Sequence, residues 1–130
     1  MKAFLSHSSS DKEFVRAVAT ELGRQFCIID EQTFSTGKEF KSSIEKGLND
    51  SSLFVLFASR AALKSAWVDF ELNEAWMLRL VNKLPTSLVY IIESSVTTRD
   101  LPEWLRRALV RRETSAKLVA RDINFTSTNC

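Results

Sequence analysis

Three glycines, two prolines, two cysteines and one histidine are all that a chain of 130 residues holds of the residue types that most often mark a site. Isolated glycines cannot build the G-x-G-x-x-G turn of a dinucleotide fold, and Gly37-Lys38 runs into Glu39 where a phosphate-cradling loop needs Ser or Thr. With His7 alone, and Cys27 and Cys130 far apart, no zinc ligand set assembles and no metal is expected. The two cysteines also make no disulfide framework, so a reducing cytoplasm is the expected location. Strong charge of one sign is missing as well: 18 Lys+Arg stand against 16 Asp+Glu, a formal net charge of +2. The group Arg106, Arg107, Arg111 and Arg112 is either a phosphate-binding face or a solvated helix end, and directly bound nucleic acid is not expected. Long apolar runs are absent too. Lys2-Ala3-Phe4-Leu5 yields at once to Ser6-His7-Ser8-Ser9-Ser10-Asp11, too short for a signal peptide, and no run approaches a membrane span.

What the chain does hold is 45% hydrophobic residues, enough for one core. Lys2 to Ser6 reads as a buried strand, and Ser10-x-x-Glu13 as a capping box that opens a helix with Phe14, Val15, Val18, Ala19 and Leu22 inward, stopped by Gly23. Phe26 to Ile29 is a second strand, Asp30 to Lys38 a loop, and Glu39 to Leu48 a second helix. Leu53 to Phe57 is a third strand, Ser59 to Ser65 a connector, and Ala66 to about Val81 a third helix capped by Ser65. Leu88 to Ile92 predicts a fourth strand, Leu101 to Leu109 a fourth helix with Pro102 in its first turn, and Lys117 to Ala120 a last edge strand. The expected domain spans 1–122, and 123–130 is expected to be a disordered tail that starts a linker to a missing domain. Strands that are apolar throughout, alternating with helices, imply an α/β fold with a parallel sheet covered on both faces and its chemistry at the C-terminal strand ends.

One residue breaks the pattern. On a helical wheel of about 100° per residue, Phe70, Val81, Trp67, Leu78, Ala75, Val68 and Leu72 share an apolar arc, and Glu71 falls in its middle. A carboxylate on an inward face must be paired, neutralised or turned to a cavity, because unpaired burial of its charge is costly. Glu71 is therefore either a structural ion-pair partner or a site residue, helped to stay ionised by the helix N-terminus. Glu74 ranks second, nearer the edge of the arc. Trp76 and Leu80 point away from it, as an assembly surface or beneath a neighbouring element.

Ala3-Phe4-Leu5-Ser6-His7-Ser8-Ser9-Ser10-Asp11 resembles the opening box of the TIR (Toll and interleukin receptor) domain family in its bacterial form. Ile29-Asp30 leading to Gly37, the Leu53-to-Ser59 strand, and Ser65-Ala66-Trp67-Val68-Asp69-Phe70-Glu71-Leu72 follow in the same order and spacing. The family's late Phe-Trp box has no counterpart around Leu101 to Leu109. The resemblance implies a flavodoxin-like fold with a central five-stranded parallel sheet and helices on both faces. It also implies that Asp30 to Glu39 is the BB loop through which other TIR domains bind, giving a homo-oligomer or filament when active.

Enzymatic members of the family cleave the nicotinamide-ribose bond of NAD+, and the resemblance makes Glu71, four residues after Trp67, the catalytic carboxylate. NAD+ is then the substrate, with no separate cofactor. The implied substrate contacts are His7, Ser8 and Ser9 at the first strand end, Phe34, Ser35 and Gly37 in the loop, Arg60, and Trp67 as a pocket wall. His7 also fits a strand-end histidine bonded to backbone, and Phe34 an aromatic tucked onto its own loop. The expected product is ADP-ribose, linear or cyclic, in bacterial defence or signalling. The alternatives are a non-enzymatic TIR adaptor and, third, a nucleoside-processing or receiver-like domain; the receiver form lacks its cluster of aspartates here.

Overall fold

The computed structural model describes residues 2–29, 46–80 and 86–128, the side chains at 66, 67, 70, 78–80, 127 and 128 excepted. Its sheet has five parallel strands in the order β2-β1-β3-β4-β5. The strands are β1 (Ala3–Ser6), β2 (Cys27–Ile28), β3 (Leu53–Ala58), β4 (Thr86–Ile91) and β5 (Leu109–Arg112). The helices among the described residues include α1 (Lys12–Leu22), α2 (Arg60–Lys64), α3 (Ala66–Leu80) and α4 (Ala116–Thr128). Residues 46–49 are helical as well.

Alternation along the strands divides the core into two layers. Phe4, Phe54, Leu56, Ala58, Val89 and Ile91 face Leu48, Ala62 of α2, and Val68, Leu72 and Ala75 of α3. Leu5, Val55, Phe57, Leu88 and Tyr90 face α1 through Val15, Val18 and Ala19, and α4 through Val119, Ala120 and Ile123. Each fully covered large side chain contributes about 1.5–3 kcal/mol, which is why the central strands carry no polar face. Chain order and strand order part between β1 and β3, where a doubly wound sheet opens its ligand crevice.

Several local expectations change. Gly23 ends α1 with φ +99 as its sequence position implies, but the Ser10-x-x-Glu13 box does not open that helix. A 3-10 turn over Ser9–Asp11 precedes it, and Ser8 bonds Asp11 instead, because Asp11 is also engaged by Ser59 across the sheet end. The Ser59-to-Ser65 connector contains α2, whose first turn is capped by Ser59 Oγ accepting from the Ala62 N–H at 3.0 Å.

The C-terminal third is rearranged more deeply. Leu101 to Leu109 is not a helix: Pro102 separates short 3-10 turns at Thr98–Asp100 and Glu103–Leu105 that drop Leu101 and Leu105 into the core, and β5 follows. Lys117 to Ala120 is not a strand but part of α4, which continues to Thr128 and buries Ile123 and Thr126, so the expected disordered tail from 123 is helical over 123–128. An amphipathic stripe at Val119, Ala120 and Ile123 suits a helix lying on a sheet face, and no strand spacing serves it. Trp76 is 37% exposed and tilts against Trp104 at 5.6 Å, so a neighbouring element covers it in part. Among the described residues no helix is long and apolar enough to cross a membrane, and no group of three or more His, Cys, Asp and Glu could hold a metal ion.

Candidate active site

β1 runs apolar through Ala3, Phe4 and Leu5, then ends on Ser6, whose parity puts its side chain on the Phe4 side, the layer that holds α3. Across that layer sits Glu71, on the second turn of α3 between Val68, Leu72 and Ala75. Ser6 Oγ donates to Glu71 Oε1 at 2.7 Å, and both residues are buried, Glu71 to 1% exposure. A hydroxyl donating to a carboxylate in a dry setting is a strong hydrogen bond and favours the ionised acid.

The rest of the β1 end is fixed by a polar net. His7 is buried, and its Nδ1 lies 3.0 Å from the Leu5 carbonyl; a carbonyl only accepts, so this ring nitrogen carries the hydrogen. Ser8 Oγ donates to Asp11 Oδ2 at 2.9 Å, and Ser59 Oγ donates to the same oxygen at 2.5 Å. Asp11 therefore ties the turn after β1 to the cap of α2 after β3, on either side of the crevice. Ser9 is exposed at the start of its turn.

Arg60 is committed elsewhere. Its Nη2 donates to the Ser95 carbonyl at 2.5 Å, and its Nη1 lies 3.3 Å from Asp100 Oδ1. The Thr97 backbone N–H first, and then Arg60, hold the Asp100 carboxyl below its ordinary range. Trp67 stands one turn before Glu71 on α3, its side chain outside the described residues, as are Phe34, Ser35, Gly37 and the whole Asp30-to-Glu39 segment. Cys27 is a free thiol that burial pushes above its ordinary pKa, against the pull of Arg24.

Ser6, His7, Ser8, Ser9 and Glu71 thus gather at the β1 end, while Arg60 faces the segment after β4. Sequence reasoning missed Ser6 and Asp11; the signal for Ser6 was a polar residue closing a strand that is otherwise buried and apolar. Open grooves of ≈ 480 Å³ (Tyr90, Arg111, Phe125), ≈ 410 Å³ (Trp76, Trp104, Arg107) and ≈ 520 Å³ (Phe26, Lys117, Asn124) lie on other surfaces, away from Glu71.

Known proteins agree with this frame. A 73-residue stretch, 54% of this chain, is 36% identical to the NAD(+) hydrolase TcpC of Escherichia coli O6:H1, of which it spans 24%. Among solved structures, the TIR domain of the Toll-related receptor TRR-2 from Hydra magnipapillata superposes with a TM-score of 0.69 at 13% identity, covering 98% of both chains. The CMP N-glycosidase BcmB of Clostridium botulinum follows at 0.63 and 12% identity, over 97% of this chain and 99% of that one. The TIR domains of the activated Roq1 resistosome give 0.57 and 17%, over 96% and 70%. The TIR domain family model matches residues 3–124, nearly the whole chain, and the protein belongs to the TIR domain family.

Proposed function

We propose that this TIR domain is an NAD+ glycohydrolase or cyclase that breaks the nicotinamide-ribose bond, switched on by self-association. The observation that carries the reading is Glu71 itself: a carboxylate at 1% exposure, bonded to Ser6 and set beside the sheet's switch point. Its likeness to part of a relative named an NAD(+) hydrolase supports the same reading.

The chemistry asks little of the protein. Nicotinamide leaves as a neutral pyridine and needs no proton, whereas an ordinary glycosidase spends a second carboxyl group on protonating its leaving oxygen. One anion suffices if it faces the ribose as positive charge develops there. Glu71 fills that role, bonding the ribose hydroxyls and stabilising the oxocarbenium-like transition state more than the ground state. His7, Ser8 and Ser9 at the β1 end meet ribose or phosphate, and Phe34, Ser35, Gly37 and Trp67 complete the contacts. Arg60 joins them only by leaving Ser95 and Asp100. Protomers join through the Asp30-to-Glu39 loop, and that assembly switches the activity on. The proposed setting is bacterial defence or signalling in a reducing compartment, which free Cys27 suits.

The test is nicotinamide release from NAD+ by the concentrated protein, with enforced oligomers as a second arm and Glu71→Ala beside each. The expected loss in the variant is on the order of 10²–10³-fold, the scale of removing a group that stabilises transition-state charge. Equal turnover by Glu71→Ala removes Glu71 from the chemistry. Silence of the wild type in both arms leaves the adaptor reading, in which the same surfaces only recruit other TIR domains.

A further inference from the structure

We infer that Ser6 is the positioning residue of the Glu71 carboxylate, setting both its rotamer and its charge. The inference rests on the reading above for its link to catalysis, but its physical part stands on the structure alone. Ser6 is the last residue of β1, hydrogen-bonded within the sheet and paired in register with Leu56, so its Cα has little freedom. Its side chain is fully buried and spends its one hydroxyl proton on Glu71 Oε1 at 2.7 Å. Glu71 reaches this point from a different element, on a helix turn packed by Val68, Leu72 and Ala75. The hydrogen bond therefore joins a rigid strand end to the flexible end of a long side chain, and the strand anchors the Oε1 atom of the carboxylate.

The bond also acts on charge. Burial raises a carboxyl pKa, and a hydroxyl that donates to the ionised form lowers it, so Ser6 opposes the desolvation of Glu71. Other charged groups sit on the elements that meet there. Asp11 is held by Ser8 and Ser59, Arg60 by Ser95 and Asp100, and Asp69 and Lys46 point to solvent. His7 adjoins Ser6 on the chain, and Glu74 is half-buried on α3 itself. Ser6 donates directly to the Glu71 carboxylate, so its removal moves the carboxyl pKa upward.

The test pairs two variants with two readouts. Ser6→Ala removes the hydroxyl; Ser6→Cys keeps the volume and supplies a weaker donor. Titration of the Glu71 carboxyl carbon by NMR, with selective labelling and with thermal melting to confirm the fold, reads charge without any catalysis. The expected order of midpoints is wild type lowest, Ser6→Cys between, Ser6→Ala highest. In nicotinamide release, kcat falls about tenfold in Ser6→Ala, the loss of a charge-assisted hydrogen bond, with KM little changed and the acid limb of the pH profile moved upward. Partial recovery in Ser6→Cys supports a donor role. Equal midpoints in all three folded proteins overturn the inference whatever the activity shows. Shifted midpoints in a protein that leaves NAD+ intact keep Ser6 as the tuner of Glu71 and reject the proposed function instead.

Discussion

Tyr90 stacks on Phe57 at 6.0 Å, donates its hydroxyl to Asp122 Oδ2 at 2.6 Å, and shares that oxygen with Arg111 Nε at 3.0 Å. Burial first, and then the Asp122 carboxylate, push the phenol far above its ordinary value of 10.0. The folded state thus holds a proton that the unfolded chain gives up, so this contribution to stability is complete below pH 10 and is lost as pH rises beyond it. Tyr90 is the sole tyrosine, so phenolate absorbance reports it cleanly. In an alkaline titration we expect no phenolate while the fold persists, then its appearance together with unfolding; a smooth titration near pH 10 in the folded protein contradicts the burial argument. Tyr90→Phe loses a hydrogen bond to a charged group, worth about 1.5–3 kcal/mol in urea denaturation, and flattens the alkaline fall. Arg111→Ala costs less, about 0.2–1 kcal/mol, because half of that side chain lies in solvent.

At the scale of elements, Gly47 decides how closely the helical residues 46–49 approach the sheet. A Cβ added there meets Phe4 Cε2 at 2.9 Å and Ile28 Cγ2 at 3.2 Å. Replacing glycine with alanine gains up to about 1 kcal/mol of helix propensity. Phe4 cannot give way, being fully buried and stacked on Phe54 at 6.0 Å, so overpacking at about 1–3 kcal/mol outweighs that gain. Gly47→Ala is expected to lower the urea midpoint, and a raised midpoint rejects the close packing. The same contrast between buried and half-buried elements explains which parts of the fold were legible in the sequence. β1, β3 and β4 stood out because strands covered on both faces carry unbroken apolar runs, here Ala3 to Leu5, Leu53 to Ala58 and Leu88 to Ile91. β5 did not: as an edge strand it has one neighbour, and Leu109, Val110, Arg111 and Arg112 show no buried run. α4 was hidden for a related reason, since only a narrow stripe of it is buried and Lys117, Leu118 and Arg121 around that stripe are exposed.

The site followed the same logic at the level of the molecule. Glu71 was legible because a charge within an apolar arc is an energetic anomaly, whereas Ser6 and Asp11 acquire their meaning only when β1, α2 and α3 are brought together across more than 45 residues of chain, a distance that helical or strand periodicity does not span. Closure of the other layer is equally non-local. α4 lies against α1 and the sheet face that begins with β1, and Ile123, fully buried, is part of that seal. Ending the chain at Asp122 keeps the partner of Tyr90 but removes Ile123 and Thr126. Loss of a buried isoleucine side chain alone costs about 2–5 kcal/mol, against a total stability of about 5–15 kcal/mol for a domain of this kind. The truncated chain is therefore expected to melt roughly 5–20 °C lower and to bind a hydrophobic dye through the uncovered Val15, Val18 and Leu88 surface. An unchanged melting temperature shows instead that the domain closes by residue 122 and that the final helix turns rest on it without holding it together.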